Sequence, residues 1–382
     1  MGRIILNERS YHGYGALDGI GEVVRDRGFK KAVVFSDEFL KTSGVLTKVT
    51  DILDGIGMGY ELFTAIDPNP SIENVLNGLQ AIESAGADVI IAVGGGSVMD
   101  CAKASGIIRT NPEFRDVRSL EGVADTKNPT TPIIAVATTA GTASEVTINY
   151  VITDVENKKK LVCVDPHDLP IAAIVDPAMM ETMPAGLTAA TGMDALTHAI
   201  EGYITKGAWE MTDMFHLESI RWIAEYLPLA VKNDKKGREM MALAQYVAGM
   251  GFSNVGLGIV HSMAHPLGAV YNTPHGVANA ILLPTVMEYN AEATGDKYKH
   301  IARVMGVKGT EEMSVEEYRA AAVNAVRELS KSVNIPQNLV GIISEEDVDY
   351  LAESAMNDAC TPGNPRDPKK EEIVAMYMSL LK

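Results

Sequence analysis

The chain is short of three things, and each shortage narrows what it can be. Cysteine is scarce: Cys101, Cys163 and Cys360 are the only three in 382 residues. They are far apart, odd in number and without metal-type spacing, which suits a reducing cytoplasm and argues against a disulfide framework. Positive charge is short, because 33 Lys and Arg face 50 Asp and Glu, a formal net charge of −17. An acidic surface repels nucleic acid and anionic membranes, so neither is expected as a partner. An anionic cofactor stays open, since local dipoles rather than net charge hold it. Long apolar runs are missing too. The nearest to one, Tyr246 to Val260, is broken by Gly249, Gly251, Gly256, Gly258, Ser253 and Asn254. It reads as a buried helix and its turn, not a membrane span. Residues Met1 to Ser10 set Arg3, Glu8 and Arg9 around a short Ile4-Ile5-Leu6 run, which is not the pattern of a secretory signal.

What is present begins as an α/β alternation, and the length allows about two to three domains. Apolar runs at Ala32 to Phe35, Tyr60 to Phe63, Asp88 to Val93, Ile133 to Ala137 and Ile171 to Val175 read as strands, with helices between them. A helix is expected over Gly44 to Leu53, and another after an N-capping Ser71. The clearest strand runs into Gly94-Gly95-Gly96-Ser97 and then a helix carrying Asp100. A strand, a glycine turn and a helix N-terminus can bind phosphate through bare backbone N–H groups, although a tight turn alone would use the same residues. A second loop, Thr138-Thr139-Ala140-Gly141-Thr142, is dense in hydroxyls. Two such turns on one sheet suit a dinucleotide. Asp37 closes an early strand and is a candidate for the ribose hydroxyls, favouring NAD over NADP; a helix cap is the alternative. Glu145 to Thr153 and Lys160 to Val164 read as a hairpin, whose Lys160 begins a strand that can reach the cofactor.

Beyond about Met180 no strand is evident, and helices fill the rest. The composition shifts near Met183-Pro184, which divides the chain into 1–182, a Rossmann-like α/β domain, and 183–382, an all-helical domain. In the helical half, Asp194 and His198 stand four apart and share a helix face. Downstream come His261, His265 and His275. One carboxylate and several imidazoles suit a borderline divalent ion such as Fe²⁺ or Zn²⁺. The expected ligands are Asp194, His198, His261 and His275. Pro266 biases His265 away from helical geometry, which leaves it for proton handling beside the metal. The glycines before His261 suggest close helix packing.

These residues resemble the iron-dependent (group III) alcohol dehydrogenases. The resemblance is carried by Gly94-Gly95-Gly96-Ser97 with Asp100, by Thr138-Thr139-Ala140-Gly141-Thr142, by Gly192 to Glu201, and by Gly258, His261, His265-Pro266 and His275-Gly276. It implies the two-domain architecture shared with dehydroquinate synthase, with a cleft between the domains. It also implies ferrous iron on Asp194, His198, His261 and His275. NAD(H) would lie against Asp37, Asn69, Gly95, Gly96, Ser97, Thr138, Thr139, Thr142, Asn149 and Lys160, with Asp100 counted beside them. Within the family the likeness is strongest to members that interconvert a small hydroxyaldehyde, such as lactaldehyde, with its diol, and it implies a homodimer. Proline usually follows the Gly-Gly-Gly-Ser; Val98 stands here, and its effect is expected on cofactor affinity. The expected reaction is hydride transfer between NADH and the aldehyde, with His265 or His275 relaying the proton. Asn149, Phe252 and Cys360 are expected along the substrate. The rivals are a zinc-dependent glycerol dehydrogenase and a metal-dependent lyase of the dehydroquinate synthase type. The lyase handles a polyanion and would need Lys and Arg around the metal residues, where this sequence has almost none.

Overall fold

A computed structural model describes residues 2–382, and it divides into two compact units. The first, Ile4–Thr182, holds a six-stranded sheet in the order β1-β8-β5-β4-β2-β3. Its strands are β1 (Arg9–His12), β2 (Lys31–Phe35), β3 (Gly59–Phe63), β4 (Val89–Gly94), β5 (Ile133–Ala137) and β8 (Ala172–Val175), all parallel. A separate antiparallel pair joins β6 (Asn149–Asp154) to β7 (Lys159–Val164). Successive side chains of a strand face opposite ways, and here both faces are covered. Val33, Ile90 and Ile133 join one core, while Val34, Ile91 and Ile134 join the other. That is why the strands read as continuous apolar runs.

Helices α1 (Gly19–Arg27), α2 (Glu38–Thr42), α3 (Thr47–Gly55), α4 (Ile72–Ala85) and α5 (Gly96–Thr110) flank the sheet. The helix expected over Gly44 to Leu53 is α3, and the short α2 before it, set off by Gly44 at a left-handed φ of 79°, was not expected. Ser71 does cap α4, and Asn74 completes a reciprocal capping box by accepting from the Ser71 N–H at 3.0 Å. The hairpin is shorter than expected: β6 begins at Asn149, and Glu145 to Ile148 lie outside it. The strand order turns around between β2 and β4, because β3 lies to one side and β5 and β8 to the other. In such sheets ligands bind past the carboxyl ends at that point. Asp37 follows β2 there, and Gly95 follows β4.

The second unit, Met183–Lys382, contains no strand among the described residues. Its helices are α6 (Ala185–Ile204), α7 (Glu210–Val231), α8 (Lys235–Val255), α9 (Ile259–Tyr271), α10 (His275–Asn290), α11 (Lys297–Val304), α12 (Val315–Ser332), α13 (Val348–Met356) and α14 (Lys370–Ser379). The expected close packing at the glycines is real. A side chain at Gly202 on α6 or Gly251 on α8 would come within 2.4 Å of the buried His216 ring on α7. Between α8 and α9 the chain bends by 103°, and no single helix is long and apolar enough to cross a membrane. The expectation that Pro266 disrupts the helix at His265 fails: α9 runs through it. One missing N–H is outweighed by burial, since every residue from Ile259 to Leu267 is buried.

Candidate active site

Three helices of the second unit supply the acid and imidazole groups, each pair spaced four apart. Asp194 and His198 lie on α6, His261 and His265 on α9, and His275 and Asn279 on α10. One ligand atom each from Asp194, His261 and His275 lies within 4.8 Å of the others. His275 Nε2 is 3.7 Å from Asp194 Oδ1. The fourth expected ligand, His198, is beside this convergence rather than in it. Its ring stacks on Phe252 at 4.2 Å and on His261 at 4.5 Å, with Nδ1 3.9 Å from Asp194. Asn279 was not anticipated, although its i+4 spacing from His275 is visible in the sequence. Its Nδ2 donates to Asp194 Oδ1 at 2.7 Å and lies 3.1 Å from the Nε2 atoms of both His261 and His275.

Behind these groups stand carboxylates that orient them. Glu201, seven residues after Asp194 on α6, lies 2.6 Å from His261 Nδ1 through Oε2. Its other oxygen accepts the Val260 N–H at the start of α9, at 2.7 Å. Gly258 is needed here, since a Cβ would stand 2.9 Å from both Glu201 and Asn364. Burial pushes the Glu201 carboxyl up to about 8. Yet His261 turns Nε2 toward Asp194 and His275, so with Nε2 free to ligate, the ring's own proton sits on Nδ1 and Glu201 accepts it at 2.6 Å. We therefore take Glu201 as ionised. Burial, with His198, His275 and His265 around it, drives His261 well below its ordinary pKa, so the ring stays neutral. Metal ligation requires that form. A buried carboxylate beside two imidazoles, with a third imidazole adjoining, fits a divalent ion of the iron or zinc kind. Glu201→Gln turns an amide N–H toward one of its two donors. Metal affinity is expected to fall by about 10–100-fold with the fold retained. Equilibrium dialysis checks this, and unchanged affinity would remove Glu201 from that role.

His265 has its own partner. Asp358 Oδ2 lies 2.7 Å from its Nδ1, and Asp358 Oδ1 accepts the Cys360 N–H at 2.8 Å. Against the push of burial, His265 and the Cys360 N–H keep the Asp358 pKa below its ordinary value. The His265 ring lies parallel to that of His275, 5.5 Å away. No sequence signal pointed to Asp358, which is 93 residues from its partner. Of the expected substrate residues, Phe252 stacks on His198 and Cys360 bonds to Asp358, the partner of His265, while Asn149 belongs to the first unit.

The first unit gathers the expected dinucleotide residues. Helix α5 begins at Gly96 with Gly95 as its N-cap, and no side chain caps it. Its first N–H groups and dipole are thus available to an anion, so the turn fits a pyrophosphate. A Cβ on Gly95 would stand 3.0 Å from Thr139, and one on Gly96 2.9 Å from Thr142, so the two loops interlock only because these positions are glycine. Thr138 N–H donates to the Gly94 carbonyl. Ser97 Oγ accepts the Asn69 N–H at 3.2 Å, and Lys160 Nζ donates to Asn69 Oδ1 at 2.9 Å. Burial lowers the Lys160 pKa to about 8. Asp37 does cap α2, through Oδ1 to the Leu40 N–H at 2.8 Å. Both oxygens of Asp100 are taken by protein donors, Ser144 Oγ and Val151 N–H.

Both halves of the chain match known protein families. Residues 7–177 match the family described as iron-containing alcohol dehydrogenase, and 188–381 match the C-terminal part of the Fe-containing alcohol dehydrogenase family. The chain is 57% identical to lactaldehyde reductase of Escherichia coli (strain K12) over 98% of both chains. It is 37% identical to an NAD-dependent methanol dehydrogenase of Bacillus methanolicus over the full length of each. A crystal structure of 1,3-propanediol oxidoreductase superposes with a TM-score of 0.95 at 41% identity, covering both chains completely. The chain belongs to the iron-containing alcohol dehydrogenase family.

Proposed function

We propose that the protein is an NAD- and iron-dependent oxidoreductase that interconverts a small hydroxyaldehyde such as lactaldehyde with its diol, 1,2-propanediol. The observation that carries this reading is the convergence of Asp194, His261 and His275 within 4.8 Å. The likeness to lactaldehyde reductase supplies the substrate class. We assign residues 1–182 to the dinucleotide and 183–382 to the metal. When bound, a divalent ion supplies Lewis acidity toward the carbonyl oxygen, and NADH supplies the hydride.

The chain's own residues do the rest. Asp194, His198, His261 and His275 are the proposed ligands, and Glu201 holds the His261 proton on Nδ1 so that Nε2 faces the other ligands. Asp358 holds a proton on His265 Nδ1, which leaves Nε2 to give or take a proton at the substrate oxygen. His275, stacked on His265, is the second candidate for that relay. The turn at Gly95 and Gly96, with Ser97, Asn69, Lys160 and the Thr138, Thr139 and Thr142 loop, holds the dinucleotide. Phe252, Cys360 and Asn149 are the proposed substrate neighbours. A neutral substrate suits this site, because the sequence stretches around Asp194, His261 and His275 carry almost no Lys or Arg. That weighs against a polyanionic lyase substrate. A homodimer, on the resemblance, and a reducing cytoplasm, on three unbonded cysteines, complete the proposal.

The test is NADH consumption, measured anaerobically with Fe²⁺ or Zn²⁺, against lactaldehyde, glycolaldehyde, propanal and dihydroxyacetone. Preference for lactaldehyde with Fe²⁺ is expected. Preference for dihydroxyacetone with Zn²⁺ would instead mark a glycerol dehydrogenase. A separate prediction concerns Asp37. Its carboxylate would repel a 2′-phosphate, so Asp37→Gly should relax the preference for NADH over NADPH by about tenfold. An unchanged ratio of kcat/KM values would take Asp37 out of the ribose site.

A further inference from the structure

Helix α9 carries His261 in its first turn, and that turn has no cap of its own. Its N-cap is Gly258, which has no side chain to accept the leading N–H groups. Two side chains distant in sequence accept them instead. The Val260 N–H donates to Glu201 of α6 at 2.7 Å, and the Ile259 N–H to Asn364 Oδ1 at 3.4 Å. The second bond is long, so what counts is how firmly Asn364 is held. Asn364 and Asn290 are both wholly buried and face each other as a reciprocal amide pair. Asn364 Nδ2 donates to Asn290 Oδ1 at 2.8 Å, and Asn290 Nδ2 returns a bond to Asn364 Oδ1 at 2.9 Å. The remaining Asn364 N–H donates to the Arg366 carbonyl at 2.6 Å. Each amide fixes the orientation of the other, and a fully satisfied buried network of this kind is rigid. Asn290 ends α10, the helix that begins with His275. The pair therefore ties the far end of one ligand-bearing helix to the near end of another.

Asn364 closes a short segment that follows one face of α9. Asp358 meets His265, Thr361 Oγ1 and Ser262 Oγ lie 2.8 Å apart, and Asn364 meets Ile259. Positions 259, 262 and 265 are three apart and share that face. The same segment wedges into the bend ahead of the helix. The Gly363 carbonyl accepts Thr205 Oγ1 and the Lys206 N–H, each at 2.8 Å, just past the end of α6. A Cβ on Gly363 would stand 2.3 Å from the Leu257 carbonyl oxygen. The bend needs such a brace. It turns the chain by 103° through Gly256, Leu257 and Gly258, and Gly256 has a φ of 85°. Two glycines in three residues give little stiffness of their own.

We propose that Asn364 is a positioning residue for the metal: paired with Asn290, it holds the first turn of α9 so that His261 meets Asp194 and His275. The proposal rests on the metal reading above. Metal affinity and the geometry of the centre are what it controls.

The experiment compares wild type, Asn364→Ala, Asn290→Ala and Ser219→Ala in the full chain. Ser219 is the control: its Oγ donates to the Ala244 carbonyl at 2.7 Å, a buried bond between α7 and α8, which carry no proposed ligand. Fe²⁺ affinity is read by anaerobic equilibrium dialysis, ligand geometry by the electronic spectrum of the Co²⁺-loaded protein. NADH titration and thermal melting accompany them. Asn364→Ala should lose about 10–100-fold in Fe²⁺ affinity and change the Co²⁺ spectrum. Asn290→Ala should show the same two changes, smaller. NADH affinity should stay within about twofold in both, since the residues proposed for the dinucleotide lie in the first unit. Ser219→Ala should lower the melting temperature and leave both metal readouts at wild type. Wild-type Fe²⁺ affinity and Co²⁺ spectrum in folded Asn364→Ala overturn the proposal. So does an equal loss of affinity in Ser219→Ala, which would make the effect one of general stability. If Asn364→Ala does not fold, Asn290→Ala decides alone by the same readouts. A wild-type protein that takes up neither Fe²⁺ nor Co²⁺ would remove the metal reading itself, which the first dialysis shows before any variant is made.

Discussion

His261→Ala is expected to abolish both metal loading and turnover while the chain stays folded. His261 is tied to several other groups of the centre. Glu201 fixes its Nδ1, Asn279 reaches its Nε2, and His198 stacks on its ring. Partners behind a metal ligand are each worth about 10–100-fold in affinity, so loss of the ligand itself should exceed that. Glu201 would also lose the group whose proton it accepts, leaving a buried carboxylate with only backbone donors. The residues proposed for the dinucleotide all lie in Ile4–Thr182, so NADH should still bind. Metal analysis and NADH titration on the purified variant read both outcomes. Full activity in a metal-free preparation of His261→Ala would end the iron reading.

Gly276→Ala should do comparable damage by a different route. Helix α10 crosses α6 so closely that a Cβ at Gly276 would stand 2.3 Å from the Ala190 carbonyl oxygen and 3.3 Å from Asp194 Cβ. The obstacle is backbone, which cannot swing aside as a side chain would. Either α10 moves and takes His275 with it, or α6 moves and takes Asp194. Overpacking of this kind costs about 1–3 kcal/mol, enough to lower the melting temperature by several degrees. Metal occupancy should fall with it, because two of three converging ligands are displaced. A variant that melts and binds metal as wild type does would show that the two helices have slack.

Where the sequence was legible, a local physical pattern and the tertiary outcome agreed. The run Val89 to Gly94 is apolar throughout because β4 is buried on both faces, and the glycines after it admit the Thr139 and Thr142 loop. The four-residue spacing of Asp194 and His198 could be read because helices repeat. What escaped notice lacked a local signature. Strand β1, Arg9 to His12, has no apolar run, since its burial alternates and it pairs only with β8. Pro266 reads as a helix breaker, yet burial carries α9 through it. Asp358 meets His265 only through the fold. The stacking that sets His198 beside the other three groups depends on Phe252, 54 residues further along, in a glycine-rich helix. Asn279 was within reach of pattern reading, one helical turn beyond His275.

The most direct test follows lactaldehyde-dependent NADH oxidation anaerobically in one preparation, before chelation, after it, and after Fe²⁺ is returned. Activity should vanish with the metal and return in full at about one Fe²⁺ per chain. Turnover that persists at undetectable metal would contradict the role given to Asp194, His198, His261 and His275.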